Sequence, residues 1–187
     1  MINSSFKKFR NTHKKKINQV IYSSLNVKNE NFLINLIKNF LKEKNSFVFE
    51  SVEKAKIRGR YTIFGKDPDK IWEFNNSKAY SINKKKKKRI NGSPEKIVEK
   101  IIESFKFKIP KNLPPISSII SGYFSYDIIR YIEKIPNNCK DDLNLPDVRL
   151  LRPVKLIIYD NLKKKIYFIV NCFSDQKIKN YKIKFNI

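Results

Sequence analysis

Residues 46–65 read SFVFESVEKAKIRGRYTIFG, and their reading decides the fold. Phe47, Val48 and Phe49 are three apolar residues in a row, followed without a turn signal by Glu50 and Ser51. That order predicts a buried strand whose end carries an acid and a hydroxyl into a pocket, where a small polar ligand can be held. A charged stretch then leads to Arg60-Tyr61-Thr62-Ile63-Phe64, rich in β-branched and aromatic residues. This second strand is expected to stop at Gly65, with Asp67-Pro68 behind it as a turn signal. The side chains this pattern offers to a ligand are therefore Glu50 and Ser51.

Working outward, short strands and amphipathic helices alternate along the chain. Gln19 to Tyr22 reads as a first strand. Asn29 is placed to cap a helix whose apolar face is Phe32, Leu33, Leu36, Ile37, Phe40 and Leu41, recurring at helical spacing. Ile71–Phe74 and Lys78–Ile82 flank Asn75-Asn76-Ser77, a hairpin signal because asparagine tolerates positive φ. Ser93-Pro94 opens a second helix with Ile97, Val98, Ile101, Ile102 and Phe105 on one side. Pro110, Pro114 and Pro115 end it and stiffen the connection. Residues 119–127 read as a buried strand leading into a short helix through Pro136, in which Arg130 and Glu133 are neighbours one turn apart. Residues 140–153 read as a loop. Val154–Tyr159 and Ile166–Val170 form a hairpin around Asp160–Lys164. The pattern is α+β, with largely antiparallel sheets flanked by helices. Residues 1–16 are expected to be a disordered basic leader and 17–187 a single domain, large enough for a real core.

Composition excludes several classes. With 41 Lys and Arg against 17 Asp and Glu, the formal net charge is +24. Such a balance raises the possibility of a basic nucleic-acid-binding module, which stands as an alternative. Lysine, asparagine and isoleucine are nonetheless spread through every segment rather than gathered on a phosphate-facing surface. The densest run, Lys84 to Arg89, reads as a solvated strand edge on which lysine discourages pairing. Cys139 and Cys172 lack the spacing of a zinc site or disulfide framework, and free thiols suit a reducing, cytoplasmic setting. His13 is the single histidine, which leaves no His-based triad or metal cluster within the chain. No apolar run reaches the length of a membrane span.

Two motifs resemble one family. The stretch around Phe49-Glu50-Ser51, followed by a charged loop and Gly59-Arg60-Tyr61-Thr62, resembles the Leu-Leu-Glu-Ser and Gly-Arg-Tyr-Ser region of anthranilate synthase component I. Gly122, Tyr123, Tyr126, Asp127, Arg130, Glu133 and Pro136 match that family's Gly-Tyr-x-x-Tyr-Asp segment with its following Arg, Glu and Leu-Pro. Ser125 and Ile119 stand where relatives often have glycine. Leu145-Pro146-Asp147 is similar to the same family's Leu-Pro-Asp connection and favours it over the sister enzyme aminodeoxychorismate synthase, the other alternative. The resemblance implies the N-terminal portion of the family's α/β sandwich, with the C-terminal chorismate-binding domain absent. It implies a part of a lyase of tryptophan biosynthesis, one that makes anthranilate and pyruvate from chorismate and ammonia. The ammonia comes from a glutamine amidotransferase subunit. It further implies that Phe49, Glu50, Ser51 and Arg60 belong to the pocket where L-tryptophan acts as feedback inhibitor. Mg²⁺ and the catalytic groups of the complete enzyme would lie outside this chain, so no catalytic residue is assigned here.

Overall fold

The computed structural model describes residues 5–28, 31–50, 59–83, 86–136, 138 and 140–177. Its elements run α1 (Phe6–Lys14), β1 (Gln19–Asn26), α2 (Phe32–Leu41), β2 (Phe47–Phe49), β3 (Tyr61–Asn75), β4 (Lys78–Asn83), β5 (Lys86–Ile90), α3 (Pro94–Ser104), β6 (Ser121–Phe124), a 3-10 helix (Tyr126–Tyr131), β7 (Val148–Asp160) and β8 (Lys165–Cys172). The strands follow the order β1-β8-β7-β3-β4-β5, with β2 added to β3 and β6 added to β7. The β1–β8, β2–β3, β3–β4, β4–β5, β6–β7 and β7–β8 pairs are antiparallel. The class is α+β, as the alternation of periodicities predicts.

The chain forms two compact units, Met1–Asp67 with Phe107–Ile119 and Pro153–Ile187, and Pro68–Lys106 with Ile120–Arg152. In the first unit, α2 buries Leu33 and Phe40 with Phe64, Tyr159 and Ile166. Val20, Leu156, Ile158, Tyr167 and Ile169 form a separate cluster with Leu113, and Phe107, Ile109, Ile116 and Ile119 of the proline-rich connector pack against it. In the second unit, Trp72, Phe74 and Ala79 gather with Ile97 and Ile101 of α3 and with Val148 and Leu150. Trp72 is thus a core side chain, as its place in a strand pattern suggests. Burial of these side chains is the main term that stabilises either unit.

Several local expectations need correction. Residues 6–14 form a helix where a disordered leader is expected. Ser5 caps it by accepting a bond from the Lys8 N–H at 3.3 Å. Its Phe9 and His13 are buried and their ring centres lie 5.7 Å apart. A dense run of lysines masks an apolar face made of only a few rings. The strand that begins at Tyr61 does not stop at Gly65: β3 continues for 15 residues to Asn75 and absorbs the expected turn. Asp67, at φ 53°, and Pro68 make a kink inside it. Likewise Arg152-Pro153, expected in a loop, lies within β7. Ion pairs explain why both strands persist. Arg152 donates twice to Asp69, at 2.7 and 2.6 Å, and Lys155 pairs with Asp67 at 2.7 Å. Partners some 85 residues apart cannot be read from a local window.

Other elements stand as expected. Asn76 and Ser77, at φ 48° and 59°, form the two-residue turn between β3 and β4. Ser93 is the N-cap and Pro94 the first residue of α3. α2 forms on the predicted apolar positions but ends at Leu41, short of the Lys44-Asn45 end the sequence suggests; Leu41 is exposed rather than part of the apolar face, and the expected cap Asn29 lies outside the described residues. Cys139 also lies outside them, while Cys172 is buried, its thiol 3.8 Å from the Val170 carbonyl. Among the described residues, no helix is long and apolar enough to cross a membrane.

Candidate functional site

The predicted site lies where β2 ends beside β3. Register pairs Phe47 with Gly65, Val48 with Phe64 and Phe49 with Ile63. The Phe47 ring covers Gly65 so closely that a Cβ there would overlap it. The far end of this ring thus favours glycine on the neighbouring strand, and this is why a residue that reads as a stop sits inside β3. Beyond Phe47 the strand emerges toward solvent. Phe49 stacks on Phe47 with ring centres 4.9 Å apart and is 48% exposed, a correction to the expectation of a buried strand end. Glu50 follows, exposed. Ser51 lies outside the described residues, so β2 brings Phe49 and Glu50 to one strand end and the hydroxyl is next in sequence.

Arg60 enters β3 from the other side of the charged stretch, and its guanidinium has a specific partner. Its Nε and Nη2 donate to the two carboxylate oxygens of Asp160 at 3.1 and 2.8 Å. The guanidinium carbon also lies 4.9 Å from the centre of the Tyr61 ring. Asp160 is 1% exposed, and its Oδ1 additionally accepts the N–H groups of Leu162 and Lys163 at 3.1 and 3.0 Å, the turn geometry that aspartate favours. Burial pushes the Asp160 carboxyl up, but the bonds from Arg60 and the two backbone groups outweigh it and hold the group below the ordinary carboxylate range. The same pair raises Arg60 further, chiefly through the hydrogen bond to Asp160. Burial also raises the phenols of Tyr61 and Tyr167 beside this pair. In this structure Arg60 anchors the start of β3 to the end of β7.

The second motif builds a different arrangement in the second unit. β6 lies so close to β7 that a Cβ on Gly122 would overlap the Arg149 carbonyl, which explains the glycine. Contrary to the expectation of a buried strand, Tyr123 and Phe124 are exposed, and the following helix is a 3-10 helix in which Tyr126 is 90% exposed. Arg130 bonds not to Glu133 but to Asp127, at 2.8 Å, and to the carbonyls of Ile135 and Pro136, at 3.0 and 2.7 Å. Tight 3-10 winding and the free carbonyls at the chain's exit from that helix account for the change of partner.

Sequence reasoning missed Asp147 as an organising residue. Its Oδ2 accepts from the Tyr131 hydroxyl at 2.6 Å and from the Asn76 N–H at 2.9 Å. Its backbone N–H donates to the Phe74 carbonyl at 2.8 Å, and its own carbonyl accepts from Ser125 at 2.7 Å. A single aspartate thus ties the β3–β4 turn, β6 and the 3-10 helix together. Its place in Leu145-Pro146-Asp147 was the available signal. Glu73, also missed, is nearly buried and takes both Lys87, at 3.2 Å, and Arg149.

The Mg²⁺ that the resemblance implies finds no set of ligands among the described residues. Among the described residues no three of His, Cys, Asp and Glu come together as a metal could require. Asp69, Glu73 and Asp160 are each paired with an arginine. A shallow cleft lined by Asn75, Asn76, Lys78, Tyr80 and Lys87 lies in the second unit and contains none of the predicted ligand residues.

No family model matches the chain. Curated proteins do. The chain is 35% identical over 139 residues to anthranilate synthase component 1 of Acetivibrio thermocellus, a match covering 74% of this chain and 28% of that protein. It is 30% identical over 169 residues to anthranilate synthase component 1 of Cereibacter sphaeroides, covering 87% of this chain and 34% of that protein. The crystal structure of anthranilate synthase component I from Streptococcus pneumoniae TIGR4 superimposes with a TM-score of 0.54 at 19% identity. That match covers 82% of this chain and 34% of that one, and it shows the shared fold. The chain spans about a third or less of the length of these relatives. With both motifs in place and most of its length aligned to such proteins, the chain belongs to the anthranilate synthase component I family.

Proposed function

We propose that this chain is the N-terminal, regulatory and structural part of an anthranilate synthase component I, and that it carries one wall of the L-tryptophan feedback site. The observation that carries the reading is the alignment of most of the chain to about a third of the length of component 1 relatives, and the Glu50-Ser51 pair in the sequence supports the site. The complete enzyme would convert chorismate and ammonia from a glutamine amidotransferase subunit into anthranilate and pyruvate. Mg²⁺ and the acid and base groups would be supplied by the chorismate-binding half. In the cytoplasm, such a part would sense the pathway's end product rather than carry out the reaction.

Within the proposed wall the exposed Glu50 carboxyl meets the tryptophan ammonium, and Ser51 bonds its polar end. Phe49, already stacked on Phe47, extends an aromatic surface for the indole. Arg60 joins this site as a candidate for the tryptophan carboxylate. Its Nε and Nη2 are engaged by Asp160, so its contribution falls largely on fixing the strand that faces the ligand. Tryptophan then acts by its differential affinity for two arrangements of the complete enzyme.

Calorimetry with L-tryptophan on the complete enzyme tests this. A charge-assisted hydrogen bond contributes about 1.5–3 kcal/mol, so Glu50→Gln is expected to weaken binding by roughly tenfold or more. Ser51→Phe should abolish binding by filling the cleft. Unchanged affinity in both variants would refute the assignment.

A further inference from the structure

The β3–β4–β5 part of the second unit gathers cations on one side. Its register sets Glu73 opposite Tyr80, Asn75 opposite Lys78, Ile82 opposite Lys87 and Tyr80 opposite Arg89. Alternation along the strands therefore puts Glu73, Lys78, Tyr80, Lys87 and Arg89 on the same side. Trp72, Phe74, Ala79 and Ile90 take the other side and pack with Ile97 and Ile101 of α3. The shallow cleft that includes Asn75, Asn76, Lys78, Tyr80 and Lys87 lies on the cationic side and has a volume of about 370 Å³. Small-molecule sites span about 300–1,000 Å³, so this one suits a compact ligand.

The charges around the cleft do not cancel. Glu73 accepts from Arg149 through Oε1 and from Lys87 through Oε2, the latter at 3.2 Å. Arg149 alone supplies the counter-charge for Glu73, and Lys87 adds a surplus. The Lys87 side chain is 53% exposed, and its Nζ lies 4.6 Å from the centre of the Tyr80 ring. An ammonium group has three N–H donors, so the bond to Glu73 leaves Lys87 with donors to spare. Lys78 is exposed and pairs with no acid among the described residues. The other acid bonded to the lining is Asp147, which accepts from the Asn76 N–H and from the Tyr131 hydroxyl. Lys78, Lys87, Arg89 and Arg149 against Glu73 and Asp147 leave the region positive. Deterring edge pairing accounts for lysine on the outer strand β5, but not for Lys78, which stands on the inner strand β4.

The type of cation narrows the ligand. Arginine offers a planar fork that matches a flat carboxylate, whereas lysine is a point charge that meets a compact, multiply charged anion from any direction. We propose that this cleft binds the phosphate group of a small, soluble phosphorylated molecule, held by Lys78 and Lys87. The site lies within the second unit and is independent of the tryptophan reading, whose Phe49, Glu50 and Arg60 belong to the first.

Inorganic pyrophosphate, titrated into this chain at low salt and followed by calorimetry and amide NMR shifts, provides the test. Saturable binding is expected, with the largest shifts at residues 75–80 and 87. Lys78→Ala combined with Lys87→Ala is expected to weaken binding roughly tenfold or more, since charge-assisted bonds are lost. Lys86→Ala combined with Lys88→Ala removes the same charge from the opposite side of β5 and is expected to change it less than about twofold. All four lysines are exposed and Glu73 keeps Arg149, so both double variants should melt like the wild type. Lys78→Ala alone should weaken binding severalfold, which keeps the test decisive if loss of Lys87 disturbs Glu73. The proposal is overturned if pyrophosphate does not bind, if the two double variants weaken alike, or if the shifts fall elsewhere. It is equally overturned if oligothymidylate binds this face more tightly with each added nucleotide while pyrophosphate fails to compete, the mark of a polymer track.

Discussion

Two aspartates stand at the two ends of β7, and each ties down one of the two sequence motifs by a different kind of bond. Asp160, the last residue of the strand, holds Arg60 of the first motif in a two-point ion pair. Asp147, immediately before the strand, holds Tyr131 of the second motif through a neutral hydroxyl, along with the Asn76 N–H. The first anchor depends on two opposite charges at a site where one partner is almost fully buried. The second depends on hydrogen bonds in which only the acceptor carries charge. Similar connectivity is thus reached with different sensitivity to pH and to loss of a partner.

The two motifs also differ in how their glycines are enforced, and this gives the largest expected effect. Gly122→Ala sets a methyl group against a backbone carbonyl that cannot rotate away, so a loss of about 3 kcal/mol is expected. Gly65→Ala meets the far end of the Phe47 ring, which can tilt, and about 1–2 kcal/mol is expected. Equal losses in urea unfolding would show that β6 yields as readily as a side chain and would remove the contrast.

Next in size is Asp160→Asn, which leaves the Arg60 charge without its partner. The Arg60 side chain keeps 28% exposure, so water takes up part of the loss. A fall in Tm of roughly 5 °C is expected for a chain of this length. The sign of the pH dependence follows from the lowered Asp160 value. Its contribution is present above the unfolded carboxyl pKa of about 4 and is lost as pH falls through the folded value. Thermal melts of Asp160→Asn should therefore show a flatter acid limb than the wild type.

The smallest effect belongs to Tyr131→Phe, about 1 kcal/mol at neutral pH, from one hydroxyl bond. Burial, then the bond to Asp147, raises the Tyr131 phenol above its ordinary value of 10.0. The stabilisation is full below the unfolded pKa of about 10 and is lost as pH rises beyond it. The variant should lose less stability than the wild type between about pH 10 and 12. Tyr61 and Tyr167, also raised, leave part of that alkaline limb in place.

Legibility differed along the same divide. α2, α3, the Asn76-Ser77 turn and the β7–β8 hairpin were readable because periodicity and turn residues act within a few positions. α1 was missed because lysine-rich composition hid Phe9 and His13, whose burial depends on what they dock against. The candidate site was legible as a motif, Phe49-Glu50-Ser51 with Arg60, whereas the partner that takes up Arg60 is a residue 100 positions away.

By itself the sequence determined the class of the fold, most of its elements and the family, since those rest on local spacing and on motif identity. The tertiary structure alone decided that β3 and β7 run unbroken through Asp67-Pro68 and Arg152-Pro153, and that two aspartates bracket β7. The reason is physical: a glycine or proline signals a turn only until distant partners, here Phe47 over Gly65 and Arg152 with Asp69, supply more stabilisation than the local preference withholds.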